Sequence, residues 1–145
     1  MATATYANIH VNYPSGQSSV EFNILDADNY GTYDISSSLN NCTFDQAQGR
    51  ITVGEDGTYL IIASNAVEID DDIANQVKTR IKVDGVEKYA TDFYNVNFTY
   101  GSGRERTCHK ILSINSGSYV EVTWEENLSN NINVLAGTIV TGKHK

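Results

Sequence analysis

The chain has little cysteine, little proline and little positive charge. Two cysteines in 145 residues make at most one bridge, which excludes a disulfide scaffold. One proline excludes a Pro-rich linker, and the 11 glycines form no collagen-like Gly-X-Y run. No apolar run approaches the ~20 residues a membrane-crossing helix needs. Ten Lys and Arg stand against eighteen Asp and Glu, a net charge of -8. Such a chain repels phosphate backbones and anionic lipid, so neither nucleic acid nor a membrane is an expected partner. No segment repeats at a fixed period, which excludes solenoids and propellers. The start, Met1-Ala2-Thr3-Ala4-Thr5-Tyr6, has neither the basic nor the apolar region of a secretory signal, so none is expected. The length suits one domain with its own core.

Strand formers and turn formers are abundant. Val, Ile, Thr and nine tyrosines favour strands, and Asn and Ser favour turns. The pattern is period two. In Thr79-Arg80-Ile81-Lys82-Val83-Asp84-Gly85, Ile81 and Val83 share one face and Arg80, Lys82 and Asp84 the other. In Ser118-Tyr119-Val120-Glu121-Val122-Thr123-Trp124, Val120, Val122 and Trp124 oppose Glu121 and Thr123. Ile51 and Val53 alternate with Thr52. Turn signals lie between these runs at Asn29-Tyr30-Gly31, Gly54-Glu55-Asp56-Gly57, Asp84-Gly85, Gly101-Ser102-Gly103 and Asn115-Ser116-Gly117. The pattern predicts an all-β antiparallel sandwich or barrel. The one helical candidate, Asp72-Ile73-Ala74-Asn75-Gln76-Val77, is one or two turns, with a loop as the alternative.

Two segments break the alternation. Tyr59-Leu60-Ile61-Ile62-Ala63 is apolar on both faces. In residues 132–140, Val134, Ala136 and Val140 lie on one side and Leu135 and Ile139 on the other. One sheet is therefore expected to face water and the other to be covered twice. The expected cover is another copy of the chain; the alternative is a set of loops folded over central strands.

These residues also resemble a family. Phe44-Asp45, Gly49-Arg50-Ile51-Thr52-Val53 and Gly54-Glu55-Asp56-Gly57-Thr58-Tyr59-Leu60-Ile61-Ile62 are similar to the opening strands of the tumour-necrosis-factor-like (TNF-like) superfamily, and most like the globular heads of complement one-q type. Lys82-Val83-Asp84-Gly85-Val86 resembles its Asn-Gly or Asp-Gly strand-turn. Residues 110–120 resemble its Leu-x-Leu-x-x-Gly-Asp-x-Val, and Leu135-Ala136-Gly137-Thr138-Ile139-Val140 its closing Phe-x-Gly-x-Leu-Leu. Ser118 stands where the family has Asp, and Leu135 where it has an aromatic. The resemblance spans roughly residues 20–141. It implies an antiparallel jelly-roll β-sandwich that assembles as a homotrimer. It also implies an inner sheet holding the strand after Gly-x-Tyr and the last strand, with residues 79–84 and 118–124 on the outer sheet. The expected trimer interface is Tyr59, Leu60, Ile62, Leu135 and Ile139.

Candidates for chemistry are few. His10 and His144 lie near the termini. Cys108 and His109 are neighbours on a strand, so they point to opposite faces and form no nucleophile–base pair. They also fall short of the four ligands of a zinc site. Cys42 and Cys108 are either a bridge or two buried thiols, and an unexported chain favours thiols. Glu68-Ile69-Asp70-Asp71-Asp72 is an acidic loop in which Asp70, Asp71 and Asp72 are weak calcium candidates; some complement-type trimers hold calcium near the apex. Gly101-Ser102-Gly103-Arg104 is a hairpin, since it has no phosphate-loop lysine. No cofactor and no catalytic role are expected.

Residues 1–19 precede the family-like domain of residues 20–145. Ala7, Ile9, Val11 and Tyr13 alternate with Asn8, His10 and Asn12 ahead of Pro14-Ser15-Gly16-Gln17. This is either the first strand of the sandwich or an arm that adds to a neighbour's sheet edge. In the arm reading, Ala7, Ile9, Val11 and Tyr13 contact a major capsid protein. The function expected is a non-enzymatic bacteriophage capsid decoration, or cement, protein on the virion surface. The alternatives are the receptor-binding tip of a tail fibre or spike, and a soluble complement-like or lectin-like binding module.

Overall fold

The computed structural model describes the backbone of residues 5–17, 21–23, 32–33, 38–69, 75–91, 94–96, 103–126 and 132–144, and the side chains of 5–10, 38–64, 78–91 and 107–125. All its regular structure is β. In chain order the strands are β1 (Tyr6–Gln17), β2 (Glu21–Asn23), β3 (Thr32–Tyr33), β4 (Ser38–Asn40), β5 (Cys42–Asp45), β6 (Arg50–Val53), β7 (Gly57–Ile69), β8 (Asn75–Val83), β9 (Val86–Ala90), β10 (Tyr94–Val96), β11 (Gly103–Ile114), β12 (Tyr119–Glu126) and β13 (Ile132–His144). The short helix considered for residues 72–77 is not formed where it is described: Asn75, Gln76 and Val77 open β8 and pair with β10. Residues 72–74 lie outside the described set.

The strands form two antiparallel sheets. The first runs β11-β7-β13-β1-β3, with β4 also paired to β1. The second runs β10-β8-β12-β6-β5, with β2 on β12 and β9 on β8. The two segments apolar on both faces, β7 and β13, are thus neighbours in one sheet, and the alternating strands β8 and β12 are neighbours in the other. Period-two placement then builds the core. Ala7, Ile9, Tyr59, Ile61, Ala63, Cys108 and Ile114 from the first sheet meet Ile51, Val53, Ile81, Val83, Val120, Val122 and Trp124 from the second. Trp124 and Tyr59 are the largest fully buried side chains described.

The N-terminal segment is a strand of this sandwich. β1 pairs with β13 from Tyr6↔Gly142 to Asn12↔Ala136, and its register shifts before Gln17↔Val134. Pro14 and Gly16 fall in that interruption, where a missing N–H donor is tolerated. Ala7 and Ile9 are wholly buried. This corrects the arm reading for those two residues: packed in their own core, they have no surface to give to a capsid. The side chains of Val11 and Tyr13 lie outside the described set.

The outer face of the second sheet also departs from a simple wet face. Glu121 is 9% exposed and Thr123 is 7% exposed. Long charged side chains roof this face. Arg50 Nε donates to Glu121 Oε2 at 3.2 Å, and its guanidinium lies 4.4 Å from the Tyr119 ring centre. Arg80 bridges Glu87, at 3.0 Å, and Glu125. In register, Glu121 also stands opposite Lys82 and Glu125 opposite Lys78, pairings that favour strand association.

The β8–β9 hairpin follows from its turn residues. Asp84 and Gly85 both have positive φ, 51° and 76°, the left-handed pair that a two-residue type I′ turn requires. Tyr119 N–H donates to Asp84 Oδ1 at 3.0 Å, and Asp84 N–H donates to the Tyr119 carbonyl at 3.0 Å. The Tyr119 N–H and the Ser118 hydroxyl together hold the Asp84 carboxyl below its ordinary range. A carboxylate depressed in the fold stabilises it above the unfolded pKa of about 3.9 and loses that contribution as pH falls through the folded value. Asp84→Asn keeps the acceptor and the turn but not the charge. Its melting temperature should therefore lie below wild type at pH 7, with the gap closing as pH falls from 4 to 2. A gap independent of pH would contradict this account of Asp84.

Candidate functional site

The outer face of the first sheet is built by register. β11 pairs with β7 so that Ile111 meets Leu60, His109 meets Ile62 and Thr107 meets Ser64. β13 sets Gly142, Val140 and Thr138 against the same three β7 residues. β1 sets Tyr6, Asn8 and His10 against those three β13 residues. The result is three parallel rows across four strands: Ile111–Leu60–Gly142–Tyr6, His109–Ile62–Val140–Asn8 and Thr107–Ser64–Thr138–His10. Directly opposed residues lie about 5 Å apart, so each row is continuous.

Within the first row Ile111 is 59% exposed and Tyr6 is 41% exposed, among the few large apolar side chains open to solvent. Leu60 and Ile62 are half-buried. The Ser64 and Thr107 hydroxyls are hydrogen-bonded at 2.6 Å, which caps the apolar rows with a satisfied polar pair. No acidic side chain is described on this face, although the chain carries a net charge of -8. It is an apolar, uncharged surface on an acidic protein.

The structure sorts the expected interface residues. Leu60 and Ile62 stand on this outer face. Tyr59 does not: it is fully buried on the inner face, and its hydroxyl donates to the Glu55 carbonyl at 2.6 Å. That corrects its place in the interface, because the period-two strand sends it into the core beside Ile61 and Ala63. Leu135 falls at the register shift between Val134 and Ala136, and Ile139 pairs with Ala63 on one side and Ile9 on the other; their side chains lie outside the described set. Asp70, Asp71 and Asp72 also lie outside it. Among the described residues no group of three His, Cys, Asp or Glu side chains is placed to hold a metal. Ile111 and Tyr6 were missed by sequence reasoning. Ile111 left a signal, since it interrupts the alternation of Lys110, Leu112 and Ser113. Tyr6 left none.

No family model matches the chain, and no curated protein matches it in sequence. Solved structures match in fold. The structure of Eiger TNF from S. frugiperda superposes with a TM-score of 0.59 over 97% of this chain and 94% of that one, at 12% sequence identity. At that identity the likeness is one of fold, and it runs from end to end. It supports the TNF-like resemblance seen in the strand and turn residues.

One end of the sandwich carries a pocket of about 330 Å³, lined by Asn41, Cys42, Thr43, Thr52, Val53, Gly54, Ser116 and Gly117. Hydrogen bonds between three corners frame it. Asn41 Nδ2 donates to Thr5 Oγ1 at 3.1 Å, and Thr5 Oγ1 donates to Glu55 Oε2 at 2.9 Å. The Ser116 hydroxyl donates to the Gly54 carbonyl at 2.9 Å, and the Ser116 N–H donates to Asp56 Oδ1 at 2.6 Å. Gly54 is required here, because a Cβ would stand 2.5 Å from Asn41 Oδ1 and 2.7 Å from the Asn41 carbonyl.

Cys42 and Cys108 are both free thiols. They belong to opposite sheets, on β5 and β11. Burial pushes the Cys108 thiol up to about 11. Burial also raises Cys42, opposed by the Gly54 backbone N–H. His109 is exposed on the face opposite its neighbour Cys108, which excludes a nucleophile–base pair between them. Because thiolate is the reacting form, iodoacetamide at pH 8 should alkylate half-buried Cys42 about tenfold or more faster than Cys108 in the native protein. Peptide mapping of a time course checks this; equal rates would contradict the burial of Cys108.

Proposed function

We propose that this chain is a non-enzymatic structural protein: a TNF-like jelly roll that assembles as a homotrimer through the outer face of its first sheet. In this reading the trimer decorates a bacteriophage capsid and contacts the major capsid protein. The observation that carries the assembly is Ile111, 59% exposed beside Leu60 and Ile62. Apolar rows of this kind are covered in stable proteins, and a second copy is the cover that fits an uncharged face on an acidic chain. Elsewhere, acidic surfaces would repel one another and keep decorated particles dispersed. The fold likeness to Eiger TNF supports the architecture. The capsid role is an expectation drawn from the composition, the fold and the lack of a persuasive catalytic set.

Sedimentation of the dilute protein at neutral pH should give a mass near three chains. Ile111→Asp should leave the fold intact, since the side chain is largely exposed, and shift the species to monomer. An unpaired carboxylate buried at a contact costs about 3 kcal/mol, roughly a hundredfold in affinity. A monodisperse wild-type monomer would overturn the assembly. Immunogold labelling of purified virions tests the role: label spread over the head is expected. Label confined to the tail tip would replace decoration with receptor binding, and its absence from particles would contradict a virion role.

A further inference from the structure

We propose that this assembly is acid-labile, because the chain sets its histidines on the outer face of its first sheet. The inference rests on the assembly reading above and deepens it with a mode of regulation. The chain has three histidines, from three strands distant in sequence. His109 lies exposed on β11, opposite Ile62 and two residues from Ile111. His10 lies half-buried on β1, in register with Thr138 of β13, which itself stands opposite Ser64. His144 pairs in register with Thr58, which stands opposite Ser113 of β11. None falls on the second sheet.

The groups around His109 leave it among neutral neighbours. Its own strand offers Thr107 and Ile111 on the same face. β7 offers Leu60, Ile62 and Ser64. The adjacent β13 positions are Gly142, Val140 and Thr138, and beyond them β1 offers Tyr6, Asn8 and His10. Lys110 leaves on the other side of β11, its Nζ 5.3 Å from the Tyr89 ring centre on the second sheet. Lys143 pairs in register with inward-facing Tyr59. Glu105 and Glu68 take register positions opposite Ala66 and Gly103, toward the far end of the sheet; at ~3.3 Å per residue, Glu105 is about 13 Å along the strand from His109. No acidic side chain is described beside the imidazole to hold its charged form.

Covering this face with a second copy removes water from the histidines, and burial disfavours the charged imidazole. The sign follows. A group held neutral in the assembly takes its proton on release, so association is at full strength above the titration of a free imidazole, near pH 6.5, and weakens below it. A trimer contains three copies of each histidine. For His109 alone, the association constant then falls by up to about a thousandfold per pH unit.

The test is sedimentation velocity at pH 7.5 and pH 5.0 at fixed ionic strength, on wild type, His109→Gln and His109→Gln with His10→Gln. Emission from Trp124, the chain's one tryptophan and fully buried, reports the fold in parallel. Wild type should pass from trimer to monomer at pH 5.0 with Trp124 emission unchanged. His109→Gln should hold together to lower pH, and the double variant lower still. A wild-type trimer intact at pH 5.0 overturns the proposal, as do variants that dissociate at the wild-type pH. Dissociation accompanied by exposure of Trp124 assigns the transition to unfolding and overturns it too. A wild-type monomer at pH 7.5 instead overturns the assembly reading on which the proposal rests.

Discussion

A strand inside a sheet has two faces, and a two-sheet sandwich covers only one of them. β7 lies under this constraint with apolar residues on both sides. Its inner residues Tyr59, Ile61 and Ala63 are fully buried against the second sheet. Its outer residues Leu60 and Ile62 meet only their lateral neighbours. The second sheet meets the same constraint differently. The outer face of β12 carries Glu121, Thr123 and Glu125, and the chain covers them itself with Arg50 and Arg80. One outer face is thus closed by polar side chains within the chain, and the other is left apolar and open. That asymmetry connects the fold to assembly.

The ends of the sandwich fix how the two sheets meet. Gly54 passes so close to Asn41 that no side chain fits, and its N–H donates to the Asn41 carbonyl at 2.9 Å. Ser116 and Gly117 tie the β11–β12 turn to the β6–β7 turn through Gly54, Asp56 and Val53. The hairpin at Asp84 and Gly85 is anchored to Tyr119 at the same kind of corner. These contacts join loops far apart in sequence, and they set the strand phase that sends Tyr59 inward and Leu60 outward.

Much of this was legible in the residues, because the period of two is written directly into them. Ile81 with Val83, and Val120 with Val122 and Trp124, point inward as their alternation requires, and Asp84-Gly85 makes the turn its chemistry favours. β7 and β13 stood out because their alternation fails. Pairing was less legible. Ala7 and Ile9 alternate as well for an edge-adding arm as for a core strand, and only the pairing of β1 with β13 separates the two. Tyr59 joined the expected interface because an apolar run does not reveal which of its phases faces inward. Glu121 and Thr123 read as wet because a strand pattern is blind to arginines arriving from other strands. The face itself is a product of register: Ile111, Leu60 and Tyr6 come from three distant segments and form a row only when four strands align.

The central claim is that a second copy covers this row. The most direct measurement is an isotope-filtered methyl NOE experiment on a mixture of labelled and unlabelled chains, which detects contacts between copies alone. The account predicts intermolecular NOEs from the Ile111 methyl groups, with Leu60 and Ile62 close by. Intermolecular NOEs arising from the second sheet instead, or none from Ile111 in an assembled sample, would contradict it.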